Sequence, residues 1–144
     1  MSVIERRLRG RQPDRSFKDE EPMHDSLEPQ RAWDILLLGG ASGTGKTSIS
    51  YALARHFAVG ITEVDDLHIV LETLTTPEQQ PLLHYWRTNP DAANLGPEGI
   101  LDLHIAVSRV LSPAITAVID NHLETGTPIV LEGDYLLPEN LAPA

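Results

Sequence analysis

One stretch, Ile35 to Ser48, limits what this chain can fold into more than any other. A short apolar run, Ile35-Leu36-Leu37-Leu38, breaks into Gly39-Gly40, and Gly40 to Thr47 then spells G-x-x-x-x-G-K-T. A strand that opens through glycines onto a helix is the expected setting of a phosphate-cradling loop. Without Cβ atoms at Gly40, Gly43 and Gly45, the backbone can turn tightly and aim successive N–H groups at one anion. The spacing assigns Gly40, Ala41, Ser42, Gly43, Thr44, Gly45, Lys46, Thr47 and Ser48 to nucleotide phosphates. Lys46 then reaches the β- and γ-phosphates, the Thr47 hydroxyl meets Mg²⁺, and the following helix adds its positive end.

Residues 1–31 balance seven basic against seven acidic side chains, so the net charge of −10 falls wholly on the remainder. There, Lys46, Arg55, Arg87 and Arg109 face fourteen Asp and Glu. So acidic a surface repels nucleic acid and anionic membrane, and neither is expected as a partner. No apolar run comes near the ~20 residues of a membrane span, and no apolar leader opens the chain. With no cysteine, disulfides and thiolate metal sites are excluded, which suits a cytoplasmic setting.

Residues 1–31 are polar, carry Pro13, Pro22 and Pro29 and show no sustained period, so they are expected to form a disordered tail. Residues 32–144 then make the domain. Its expected elements are a strand at 33–39 and a helix at 45–58 with Ile49, Leu53 and Phe57 as its core stripe. Gly60 stops that helix before a short strand over 61–64. A helix over 67–74 and one over 78–87 follow, the second set among Pro77, Pro81 and Pro90. From 98 to 124 the stripe Ile100, Leu103, Val107, Leu111, Ile115, Val118, Ile119, Leu123 predicts one kinked helix or two, divided at Ser112-Pro113 and ended by Gly126. The last strand and its exit span 128–134. Three strands linked through helices describe a parallel α/β sheet.

Chemistry in such sheets gathers beyond the carboxyl ends of strands. Asp65 and Asp66 stand at the end of the second strand. One is expected to orient or deprotonate an acceptor hydroxyl, or to help hold Mg²⁺ through water, and the other to cap the next helix, with Asp65 nearer the chemistry. Glu132 and Asp134 end the third strand, where a carboxylate supports the Mg²⁺ water shell; Asp134 beside Gly133 also suits a turn. His84-Tyr85-Trp86-Arg87 is either a segment in which Trp86 and Arg87 touch the acceptor or an aromatic plug on the core. His104, Arg109 and His122 receive no role.

Together these residues resemble the P-loop small-molecule kinases. Gly39 to Ser48 is similar to the opening of 2-phosphoglycerate kinases, with relatives among gluconate kinases, zeta toxins and chloramphenicol phosphotransferases. Val64-Asp65-Asp66-Leu67-His68 resembles their segment after strand two, and Gly126 to Pro138 their "viEG-x-x-x-x-P" passage. The resemblance implies a P-loop nucleoside triphosphate hydrolase fold, three-layer α/β/α, with parallel strands ordered 2-3-1-4-5. It also implies ATP- and Mg²⁺-dependent transfer of the γ-phosphoryl group to a small-molecule hydroxyl. Only three of those strands are legible, so the fold is expected to be incomplete at its C-terminal side. The first strand would then be left as an open edge, with a homodimer as one outcome. The alternative is a non-catalytic or truncated ATP-binding module. An anionic acceptor needs cations, and this sequence is at least as compatible with a neutral or cationic one.

Overall fold

A computed structural model describes residues 2–6 and 31–141. Along the chain run β1 (Ser2–Arg6), β2 (Ile35–Gly39), α1 (Lys46–His56), β3 (Gly60–Glu63) and α2 (Val64–Leu74). After them come α3 (Tyr85–Thr88), a 3₁₀ turn at Pro90–Asn94, α4 (Pro97–Thr125), β4 (Ile129–Gly133) and α5 (Pro138–Leu141).

Side chains alternate across a strand, and here the two sets meet different helices. Ile35, Leu37, Ile129 and Leu131 face α4 and the start of α2, packing on Leu103, Val107, Leu111, Ile115, Ile119 and Val64. Leu36, Leu38 and Val130 face the other way, with Trp33, against Ala54 of α1 and the partly buried Leu53 and Phe57. Every residue of β2 and β4 is buried, as central parallel strands covered on both faces should be. The result is an α/β fold, helices on each face of a small parallel sheet.

The third parallel strand lies between the first two. Leu38 pairs with Glu132, and Glu63 pairs with the same Glu132 from the other side. This register brings the ends of β2, β3 and β4 level, so the segments leaving them converge.

On the outer side of β2 the sheet continues with β1, antiparallel, Ser2 opposite Gly39 and Arg6 opposite Ile35. Two expectations change here. Residues 2–6 are a strand within the reach of the expected tail, and the β2 edge that was to favour a homodimer is covered. The five-residue ladder satisfies backbone groups that an edge leaves open. Residue 1 and residues 7–30, the rest of the expected tail, lie outside the described residues.

Several element boundaries also differ. In α1 the buried positions are Lys46, Ser50 and Ala54, whereas Ile49 is exposed: the helix is rotated so that Lys46 turns inward. The turn into β3 is made by Ala58, at φ 50, and Gly60 opens the strand instead of closing the helix. Val64 begins α2, which puts Asp65 and Asp66 in its first turn with no side-chain cap bond, so neither acts as the cap. The helix expected over 78–87 is reduced to α3. Helix α4 runs unbroken through Pro113 and ends at Gly126 with φ 63. By length and composition α4 could cross a bilayer; its stripe from Leu103 to Ile119 is instead packed on the sheet.

Candidate functional site

The loop between β2 and α1 is exposed from Ala41 to Gly45, while Lys46 directly after it is buried. Gly45 takes φ 84 and ψ 14 as the residue preceding α1, a left-handed conformation that a Cβ would strain. The Thr44 hydroxyl donates to the Ala41 carbonyl at 2.8 Å and closes the loop on itself. No side chain caps α1, and its first turn holds no acid. The first amides of the helix are therefore left to an anion from outside, which the dipole also favours.

Two carboxylates from the end of β4 meet this loop. Alternation that sends Leu131 toward α4 sends Glu132 toward α1, where its Oε1 accepts a hydrogen bond from the Thr47 hydroxyl at 3.2 Å. Glu132 is 4% exposed, and its Oε2 is buried without a hydrogen-bond partner. Burial holds its carboxyl above the ordinary range, partly offset by the Thr47 hydrogen bond and the charge of Lys46. A buried, half-satisfied carboxylate is costly unless something binds it. Asp134, two residues on, is not a mere turn residue: its Oδ1 takes the Lys46 ammonium at 2.6 Å. Lys46 also donates to the Ala41 carbonyl at 3.0 Å.

The acids after β3 stand close to this group. A Cβ on Gly133 would lie 2.7 Å from the Val64 Cβ; only glycine lets the exit of β4 pass so near the first turn of α2. Partial burial, then the charge of Asp134, pushes the Asp65 carboxyl up, although the residue as a whole is exposed. Asp66 is exposed. Thus Lys46 and Thr47 of α1, Glu132 and Asp134 at the end of β4, and Asp65 of α2 are brought to one place from three segments.

Trp86 and Arg87 fare differently. Arg87 Nε is held by Glu72 at 2.9 Å, and the neighbouring His84 is buried and hydrogen-bonded to Thr75 at 3.2 Å. Trp86 is exposed, lies edge-on to the neighbouring Tyr85 ring at 6.2 Å and hydrogen-bonds the hydroxyl of Tyr135. Tyr135 is itself buried, stacked on His104 at 5.2 Å with His68 edge-on at 5.4 Å. Ser108 pins its carbonyl at 2.6 Å.

A cavity of about 420 Å³ opens beside the loop, between Gly40–Ser42, the first turns of α4 and the segment Asp134–Leu137. His104 lines it and was passed over in the sequence. The available signal was spacing: Ile100 with His104, and Leu101 with Ile105, are i,i+4 pairs on a face beside the buried stripe.

The donor set fits magnesium and a polyphosphate. Magnesium prefers oxygen and keeps several waters, needing one or two protein groups besides phosphate. The Thr47 hydroxyl and the unpartnered Glu132 oxygen are such groups. Among the described residues no cluster of three or more His, Cys, Asp or Glu forms a metal site of the all-protein kind.

No family model matches the chain, and no solved structure matches it. Curated proteins do. It is 31% identical over 112 residues to the 2-phosphoglycerate kinase of Pyrococcus horikoshii, covering 72% of this chain and 36% of that protein. Identity is 30% over 112 residues to the 2-phosphoglycerate kinase of Pyrococcus furiosus and 28% over 114 to that of Methanococcus maripaludis, with the same two coverages. The chain thus spans 36% of the length of these relatives. These likenesses support a distant relationship to kinases, and over that length the chain is similar to proteins named 2-phosphoglycerate kinase.

Proposed function

We propose that the chain is the nucleotide-binding part of an ATP-dependent phosphotransferase with a P-loop fold, acting on a hydroxyl of a small molecule. The observation that carries the reading is the meeting of Lys46 and Thr47 with Asp134 and Glu132. A glycine turn matching the motif by accident would not bring a buried carboxylate with a free oxygen to the Thr47 hydroxyl. The names of the curated relatives support the same reaction class.

In this reading the amides of Gly40 to Ser48 bind the phosphates, and Lys46 exchanges part of its pairing with Asp134 for them. Thr47 and Glu132 hold the metal through oxygen. When bound, magnesium–ATP supplies the phosphoryl group and neutralises its charge. Asp65 orients the acceptor hydroxyl or accepts its proton, and the rise of its carboxyl above the ordinary range through burial favours that acceptance. Positioning and charge compensation carry most of the rate. The acidic surface and absent cysteine suit a cytoplasmic location, with no nucleic-acid or membrane partner.

The test is a comparison of variants in magnesium–ATP binding and in phosphoryl transfer across a metabolite panel. Asp65→Asn is expected to keep nucleotide binding and lose transfer, with Asp66→Asn much less affected. Equal transfer by wild type and Asp65→Asn removes the base assignment. A second reading, an ATP-binding module without catalysis, is favoured by the commitment of Arg87 to Glu72, which leaves few cations near the phosphates. Nucleotide binding with no transfer to any panel member selects it.

A further inference from the structure

The cavity beside the loop has a composition that speaks to the acceptor. Pro97, Ile100, Leu101, Ile105 and Leu137 give it apolar walls. Gly40, Ala41 and Ser42 close its loop side, its ionisable lining groups are Asp134 and His104, and among the described residues no lysine or arginine lines it. The nearest cation, Lys46, is already compensated by Asp134 at 2.6 Å and stands at the phosphate loop. Arg87 is held by Glu72, Arg55 is exposed on α1, and Arg109, four residues beyond Ile105 on α4, is exposed and is not among the residues lining the cavity.

A carboxylate or phosphate placed against these apolar walls would shed water without gaining a positive partner from them. An apolar body would lose nothing comparable and would cover Ile100 and Leu101, which are 36% and 58% exposed. The volume lies in the range of small-molecule sites, which pair apolar walls with a few polar groups that fix orientation. At the inner end, Asp134 can accept a hydrogen bond from a hydroxyl. His104, stacked on Tyr135, is held as a flat wall with a polar edge.

We propose that this cavity binds an uncharged alcohol with an apolar body, its hydroxyl directed to Asp134 at the phosphate loop. The inference rests on the phosphotransferase reading for its biological sense, but the binding it describes can be measured without turnover. It also parts from the acceptor in the relatives' names, an anion bearing both phosphate and carboxylate.

The experiment titrates the full chain with 2-phenylethanol, cyclohexylmethanol and 2-phosphoglycerate, following amide chemical shifts, with a separate titration of magnesium–ATP. The expected result is saturable shifts of Ile100–Ile105 and Asp134–Leu137 by the two alcohols, and none there by 2-phosphoglycerate. Leu101→Arg, on an exposed position and checked for an unchanged melting temperature, should weaken the alcohols by roughly tenfold and admit the anion. Ile105→Ala, a milder change, should weaken the alcohols alone. Binding of 2-phosphoglycerate at these residues by the wild type, or no response to either alcohol while magnesium–ATP binds, overturns the proposal. Failure of magnesium–ATP to bind counts against the phosphotransferase reading instead, and alcohol binding is then still scored on its own shifts.

Discussion

The two faces of the sheet are built from alternate residues of the same strands, yet they meet opposite demands. Toward α4 lie Leu37, Leu131 and the stripe from Leu103 to Ile119, all apolar. Toward α1 the upper end carries Glu132 and Lys46, both buried. Between Leu131 and Glu132 there is one peptide bond and a full change of environment. The α4 face supplies stability through burial, at about 25 cal/mol per Å². The α1 face gives some of it up by holding an ionisable group short of one hydrogen bond. Stored cost of that kind is common where a ligand completes the site.

Lys46→Ala is the sharpest way to break this contrast. It removes the cation from the α1 face and should lower phosphoryl transfer by about a hundredfold or more, while the α4 core keeps the fold cooperative. Transfer assays beside thermal melts check it; a variant that melts normally and still transfers would separate Lys46 from the chemistry.

Next in size is the opposite face. Leu131, fully buried, should cost about 2–5 kcal/mol when cut to alanine, read by chemical denaturation, with nucleotide affinity unchanged under conditions where the variant is folded. A loss below 1 kcal/mol would mean that the α4 face is not the main source of stability.

Glu132→Leu should do the reverse of both. Replacing a half-satisfied buried carboxylate by an apolar group of similar size should stabilise the protein by roughly 1 kcal/mol and abolish the magnesium dependence of nucleotide binding. Destabilisation instead would show that the carboxylate is better compensated than its geometry indicates.

The smallest effect is in pH. Burial raises the Glu132 carboxyl above 4.5 and that of Asp65 above 3.8, so the folded chain holds these protons more tightly than the unfolded one. Stability without metal should therefore fall as pH climbs from the ordinary carboxylate range through the raised values. Glu132→Gln should flatten that slope, measured as unfolding free energy against pH. Magnesium affinity should rise across the same window, since the metal takes the ionised form.

Much of this was legible from local pattern. Ile35 to Thr47 identified the strand, loop and helix, because an apolar run, glycines and a Lys-Thr pair are each short-range signals. The stripe of α4 from Leu103 to Ile119 and its stop at Gly126 were equally readable, since burial along one helix repeats every turn; Ile100, expected to begin that stripe, is exposed beside the cavity instead. The rotation of α1 was not: Ile49 is as apolar as Leu53, and its exposure depends on Lys46 being drawn inward to Asp134, 88 positions away. Nor could Ser2–Arg6 be read as a strand, because five residues acquire that conformation only from the edge they pair with. His104 was overlooked for a related reason. A histidine beside a buried stripe becomes part of a site only once Tyr135 is laid against it.

What the sequence by itself determined is the phosphate-loop pattern, the order of strand and helix and the apolar faces, all properties of neighbours along the chain. Which carboxylate meets which loop residue was decided by the tertiary structure alone. The pairing of Leu38 with Glu132 sets β4 beside β2, and strand alternation then turns Glu132 to Thr47 and Leu131 to α4. Register is a relation between distant segments, and its side-chain consequence has a period of two, so a slip of one residue would exchange the two.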